Sequence, residues 1–290
     1  MDDLRPRSWG EALAMRAAHP DALPVAGGTD LMPRMNLAGL RPTALLDLSR
    51  VPDLAGWEDR SAWLWIGAAM TYTAMLAELG EHAPALAAAS RAVGSPQIRN
   101  RGTIGGNLGT ASPAGDCHPV LLATRATIEV ESPRGQRLIP AREFYLGPRR
   151  NALAPDELIR GLLVPKATGP QQFSKVGVRN AMVIAVSSFA VALHRDERRV
   201  GTGIGSAGPT PLVAGAAERY LNAELTAGDY WDRKRPLPGP ITSRFAELVS
   251  AAAEPIDDLR ATAGYRRHSL GVLASRALRW CWTDYLKGHR

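Results

Sequence analysis

A chain of 290 residues, 45% apolar and 22% charged, has the composition of a globular protein of about two domains and excludes a disordered polyelectrolyte. Its net charge of +7 is spread over single and paired arginines (Arg149-Arg150, Arg198-Arg199, Arg266-Arg267), with no basic stripe interleaved with aromatics, so no nucleic-acid groove is expected. No stretch approaches the roughly 18 apolar residues of a membrane span, and the polar start MDDLRPRSWGEAL lacks the basic-then-apolar order of a signal peptide, which predicts a cytoplasmic protein. Cys117 and Cys281 lie too far apart in sequence for a CxxC knuckle, and this chain alone cannot supply a four-cysteine cluster.

Ser8 is a suitable N-cap for a helix over WGEALAMRAAH. Short strands are predicted at ALPVAG, at Ala44–Leu48 and at Trp63–Ala68, followed by two helices that break near Pro84. After a glycine-rich block, ATIEVES, GQRLIP and DELIRGLLVP read as strands, closing a first lobe near Lys166. Gly169 and Pro170 open a linker-like turn, which predicts domains at residues 1–168 and 169–290. The second lobe reads as a few strands followed by helices at TPLVAGAAERYLNAEL, at ITSRFAELVSAAA and from Asp258 to Leu286. GIGSAG, Gly203 to Gly208, has dinucleotide-turn spacing, but Pro209 and Pro211 follow where a helix must open, so a strand ending in a turn is expected.

Two stretches carry more glycine than ordinary elements tolerate: LPVAGGTDL, and RNRGTIGGNLGTASPAGDCHPV from Arg99 to Val120. Bare backbone of this kind can present N–H groups to a phosphate. Thr29, Thr103, Thr110 and Ser112 add hydroxyls, Asn107 an amide, and Asp30 and Asp116 carboxylates able to accept from ribose or adenine. On these residues alone a nucleotide cradle and a pair of tight turns both stand. His118 beside Cys117 lacks the further ligands of a zinc site and reads as a loop histidine. Tyr265-Arg266-Arg267-His268 reads as the start of a surface helix, and the tryptophans as core or interface anchors.

AGGTDL, then TIGGN about seventy residues later, then ASPxxD, with LRATAGYRRHSLGVLASRAL near the C-terminus, resembles the FAD-binding medium subunits of the molybdenum hydroxylases, the xanthine dehydrogenase and carbon monoxide dehydrogenase group. The resemblance spans nearly the whole chain. It implies an α+β fold: a two-lobed PCMH-type FAD-binding domain, then a smaller C-terminal domain of antiparallel sheet plus helices like that of the carbon monoxide dehydrogenase flavoprotein. It implies a first diphosphate loop at Val25, Ala26, Gly27, Gly28, Thr29, Asp30 and Leu31, and a second at Thr103, Ile104, Gly105, Gly106 and Asn107. Asp116 matches a position toward the adenosine end, with Ser112 in the same loop; Ile159 matches an aliphatic position near the flavin, and Lys175 a lysine near the ring or its linker.

The resemblance also implies partners: a small subunit with 2Fe-2S clusters and a large molybdopterin subunit, forming a heterotrimer or a dimer of heterotrimers. FAD would be the cofactor of this chain, bound noncovalently, and the chain would relay electrons to a terminal acceptor. Two alternatives remain at this stage, a free-standing FAD-dependent oxidoreductase of the same superfamily and a flavin-binding scaffold without turnover. The first would need its own substrate acid/base residues, and none are assembled in the sequence.

Overall fold

The computed structural model describes residues 2–289. Strand β1 (Asp2–Leu4) leads to helix α1 (Trp9–Ala18), where the Ser8 hydroxyl accepts from the Glu11 N–H at 3.2 Å. Strand β2 (Leu23–Val25), helix α2 (Leu31–Leu37) and strand β3 (Ala44–Asp47) follow, and the three strands form a small parallel sheet in the order β1-β3-β2. A glycine-bearing loop between β2 and α2 therefore starts at a sheet's C-terminal edge, where α/β folds leave room for ligands.

Strands β4 (Trp57–Arg60) and β5 (Trp63–Gly67) form a hairpin, followed by helices α3 (Tyr72–Glu78) and α4 (Pro84–Ala92), with Pro84 at the start of α4. The glycine-rich block, read from sequence as irregular loop, is largely helical: α5 (Pro96–Arg101), α6 (Ile104–Thr110) and α7 (Cys117–Ala123). The hydroxyls of Ser95 and Thr103 cap α5 and α6. Glycines hid these helices, and each spans too few turns to show an apolar period.

Strands β6 (Thr127–Ser132) and β7 (Gly135–Pro140), helix α8 (Ala141–Phe144), the short pair β8 (Tyr145–Gly147) and β9 (Arg150–Asn151), and strand β10 (Leu158–Pro165) complete the first lobe. The larger sheet has the order β4-β5-β10-β6-β7 with every pairing antiparallel. A bulge at Arg160 shifts the β10–β6 register between Ile159 and Gly161. Bulges re-aim neighbouring side chains, and Ile159 stands directly beside this one.

The chain continues with β11 (Gln171–Val176), β12 (Ser187–His194) and β13 (Arg199–Gly205), an antiparallel sheet in that order, then α9 (Gly215–Ala227), α10 (Tyr230–Arg233), α11 (Gly239–Ala251) and α12 (Ala263–Leu286). The last helix starts later than Asp258 because Asp258 bridges to Ala261 and Thr262 provides the cap. The whole arrangement is α+β.

Strand β12 is buried along its length and divides two apolar cores. Ala190 and Ala192 face the first, which the N-terminal lobe builds; Phe189, Val191 and Leu193 face the second, beneath α9, α11 and α12. Opposite Ala192, Ala190 and Ser188 on β13 stand Gly201, Gly203 and Gly205. A Cβ on Gly203 would lie 1.9 Å from the Pro119 carbonyl oxygen, and one on Gly201 2.1 Å from that of Ala123. The glycines of GTGIGSAG thus let α7 lie directly on the sheet. Arg266, read as a surface residue, is 3% exposed and donates to the carbonyls of Val186 and Ser206 and to Asp258.

Candidate functional site

A cleft of about 730 Å³ runs between the β2–α2 loop, helix α6, the segment after β9 and the loop joining β11 to β12. Its size is that of a cofactor site. Val25 to Leu31, Thr103, Gly105, Gly106, Asn107, Ser112, Asp116 and Ile159 all line it. Two expected residues do not. Ile104 has no exposed surface and packs into the first core, since the first turn of α6 must bury one face. The Lys175 amine is committed to protein acceptors, Asp116 at 2.7 Å among them.

The two loops contribute differently. In the first, Gly27 is required by the protein itself, because its Cβ would fall 1.9 Å from the Arg101 carbonyl oxygen, and Gly28 adopts φ +73°. The N–H groups of Gly27, Gly28, Thr29, Asp30 and Leu31 donate to no acceptor among the described residues, which leaves a fan of donors at the cleft. In the second, every N–H from Ile104 to Asn107 is already used: Ile104 on Met70 O, Gly105 on Ala68 O, Gly106 on the Thr103 hydroxyl and Asn107 on Thr103 O. This loop offers instead the bare Cα of Gly106, where a Cβ would meet only Thr103 Oγ1 at 3.1 Å, and the buried, unpartnered Oδ1 of Asn107.

Residues 2–167 match the family model described as the FAD binding domain in molybdopterin dehydrogenase. The chain belongs to this family. It is 30% identical over 286 residues to the carbon monoxide dehydrogenase medium chain of Hydrogenophaga pseudoflava, covering 96% of this chain and 95% of that one. It is 33% identical over 275 residues to the nicotine 6-hydroxylase medium subunit of Paenarthrobacter nicotinovorans, covering 94% of each. The fold superimposes on a chain of H. pseudoflava carbon monoxide dehydrogenase lacking the Mo-pyranopterin moiety with a TM-score of 0.89, at 29% identity, covering 98% and 97% of the two chains.

The polar groups of this FAD-domain cleft fit a dinucleotide. Buried polar atoms are normally paired, yet Asn107 Oδ1 and Asp116 Oδ1, both on cleft-lining residues, have no partner. Burial raises Asp116 to about 6, and Lys175 opposes the shift. Next to it, burial pushes Cys117 up to about 12 and His118 down to about 4. Both ring nitrogens of His118 face carbonyls, Nδ1 that of Ser112 at 3.1 Å and Nε2 that of Asn107 at 3.3 Å, so the neutral ring donates to one of them. His118 thereby supports the segment that carries Asn107 and Ser112.

These opposed shifts have an acid signature. Between about 6.5 and about 4 the unfolded chain takes up a proton that buried His118 refuses, so stability falls as pH drops through that window. Asp116 acts in the opposite sense, because the folded chain protonates first, between about 6 and 3.8. The FAD-free H118Q variant should therefore gain on wild type as pH falls, by on the order of 3 kcal/mol at the low end, read from urea midpoints. A constant difference between the two proteins from pH 7 to 4.5 would contradict the buried neutral histidine.

Sequence reasoning missed Arg16, Arg34 and Arg149, which bring positive charge to the cleft from α1, α2 and the β8–β9 turn. Arg149 and Arg34 approach the Asp30 carboxylate at 3.4 and 3.9 Å. It also missed Val93, Gly94 and Met182 to Ile184, the apolar wall beside Asp116. No local pattern marks these residues, because each owes its place to the packing of distant segments.

Proposed function

We propose that this chain is the FAD-carrying, electron-relaying medium subunit of a multi-subunit molybdenum hydroxylase, with its division into two domains at residue 168. The observation that carries the reading is the cleft itself, lined both by five adjacent residues whose N–H groups have no acceptor among the described residues and by two residues with orphaned acceptors, Asn107 Oδ1 and Asp116 Oδ1. The N–H groups of Gly27 to Leu31 would receive the diphosphate. Gly106 would let it approach the backbone, Asn107 and Asp116 would accept from the cofactor's hydroxyls or amine, and Ile159 would pack against a ring.

FAD supplies the redox chemistry, and the protein supplies binding, orientation and electrostatics. Val93, Ile159 and Met182 to Ile184 add apolar lining to the cleft, with Ile159 buried and Met182 and Ile184 open to solvent. Both cysteines are buried, and no group of three or more His, Cys, Asp or Glu side chains suited to a metal occurs among the described residues. As the family resemblance implies, 2Fe-2S clusters and the molybdopterin would reside on small and large partner chains. No helix among the described residues is long and apolar enough to cross a membrane.

The purified chain should release one FAD per chain on acid precipitation. Its flavin should be reduced by dithionite and by no organic substrate until an iron–sulfur chain and a molybdenum chain are added, which absorbance bleaching reports. Rapid turnover of an organic substrate by the isolated chain would replace this reading with that of a free-standing flavoenzyme.

A further inference from the structure

Lys175 stands on β11, in the sheet that separates the two cores, and its side chain is 12% exposed. Its amine donates to Asp116 Oδ2 at 2.7 Å, to the Ala92 carbonyl at 2.7 Å and to the Val183 carbonyl at 3.1 Å. Three contacts use all three protons of an ammonium. The acceptors belong to three separate walls of one end of the cleft. Ala92 ends α4 and leads into Val93 and Gly94, Asp116 precedes α7, and Val183 lies in the β11–β12 loop; Val93, Gly94, Asp116 and Val183 all line the cleft. Because Lys175 holds Oδ2, Oδ1 is the carboxylate oxygen left without a partner.

We propose that Lys175 is a positioning residue that ties these three walls together and presents Asp116 Oδ1 to the cofactor, so that FAD retention depends on a side chain delivered by the C-terminal sheet. This rests on the FAD reading above. The titratable groups that sense Asp116 are Tyr72 on α3, Cys117 on α7 and Lys175 on β11, while His118, two residues on, turns its ring to the Ser112 and Asn107 carbonyls. Burial holds Tyr72 and Cys117 protonated well above neutral pH and His118 neutral down to about 4, so Lys175 is the charged neighbour. Among the described residues, only Lys175 counteracts the burial that raises Asp116 to about 6.

The test is FAD affinity of the full chain, followed by flavin fluorescence from pH 8.5 to 5, for wild type, K175M, K175R and D116N. Wild-type affinity should weaken by up to about tenfold per pH unit below about 6, as protonation removes the carboxylate. K175M should bind at least about tenfold more weakly at pH 7.5, and its weakening should begin at a higher pH, since burial then acts unopposed. K175R should recover most of the affinity, and D116N should lose the pH dependence. If K175M does not fold, the D116N/K175M double variant leaves no unpaired buried charge and serves in its place; it should bind weakly at every pH. Wild-type affinity and pH onset in K175M, or wild-type affinity in the double variant, would overturn the role of Lys175. A wild-type chain that binds no FAD at any pH would instead overturn the function proposed above.

Discussion

Gly106→Val should empty the cleft of FAD while leaving the fold intact. Gly106 lies in the first turn of α6 without a positive φ, and its Cβ direction meets only the Thr103 hydroxyl at 3.1 Å. Valine is at least as good as glycine within a helix, so stability should change by no more than about 1 kcal/mol. Its methyls would occupy the space in which a diphosphate meets bare backbone. An overlap costing about 3 kcal/mol weakens binding roughly a hundredfold, enough to lose the cofactor during purification. The contrast is with Gly27→Val and Gly105→Val. There a Cβ would strike the Arg101 carbonyl at 1.9 Å, or Ala68 Cβ and carbonyl at 2.6 Å, and the protein itself should fail to fold. Thermal melts and flavin absorbance separate the two outcomes; full flavin content in folded Gly106→Val would move the diphosphate elsewhere.

That contrast also marks how far the sequence could be read. AGGTDL and TIGGN point to one cleft, but nothing in the spelling says that Gly27 and Gly105 are bare for the protein's own packing and Gly106 for the ligand's approach. The same limit applies to hydrogen bonds. Thr103 to Asn107 matches a diphosphate loop, yet the N–H groups of Ile104 to Asn107 are absorbed by Ala68, Met70 and Thr103, a result of how β5, α3 and α6 meet. Long segments were legible because periodicity has room to act, as in β10 and in α9 and α11. Helices α5 to α7 span six or seven residues each, under two turns, and were not legible. Lys175 was found by resemblance and assigned toward the ring or its linker, whereas its amine lies on Asp116, 59 residues away in sequence.

GIGSAG offers the sharpest test of the join between the two cores. Gly203→Ala adds a single carbon, yet that carbon would sit 1.9 Å from the Pro119 carbonyl oxygen and 2.6 Å from its carbon, so α7 must lift from β13 or the strand must bend. Neither partner is a flexible side chain, and overpacking against backbone should cost on the order of 3 kcal/mol or more. Gly208→Ala, in the same motif, would meet chiefly the Leu212 side chain, with its Cδ1 at 2.7 Å, which can rotate away. Its cost should stay near 1 kcal/mol or below. A dinucleotide turn would demand both glycines for the ligand's sake, and both variants would lose nucleotide without loss of fold. The packing argument requires the opposite: a melting temperature lowered by roughly 6 °C or more in Gly203→Ala, and near-wild-type melting and flavin content in Gly208→Ala. Since Asp116 immediately precedes α7, lifting that helix should also loosen the cleft, so the flavin of Gly203→Ala should dissociate more readily than that of wild type even below its melting transition.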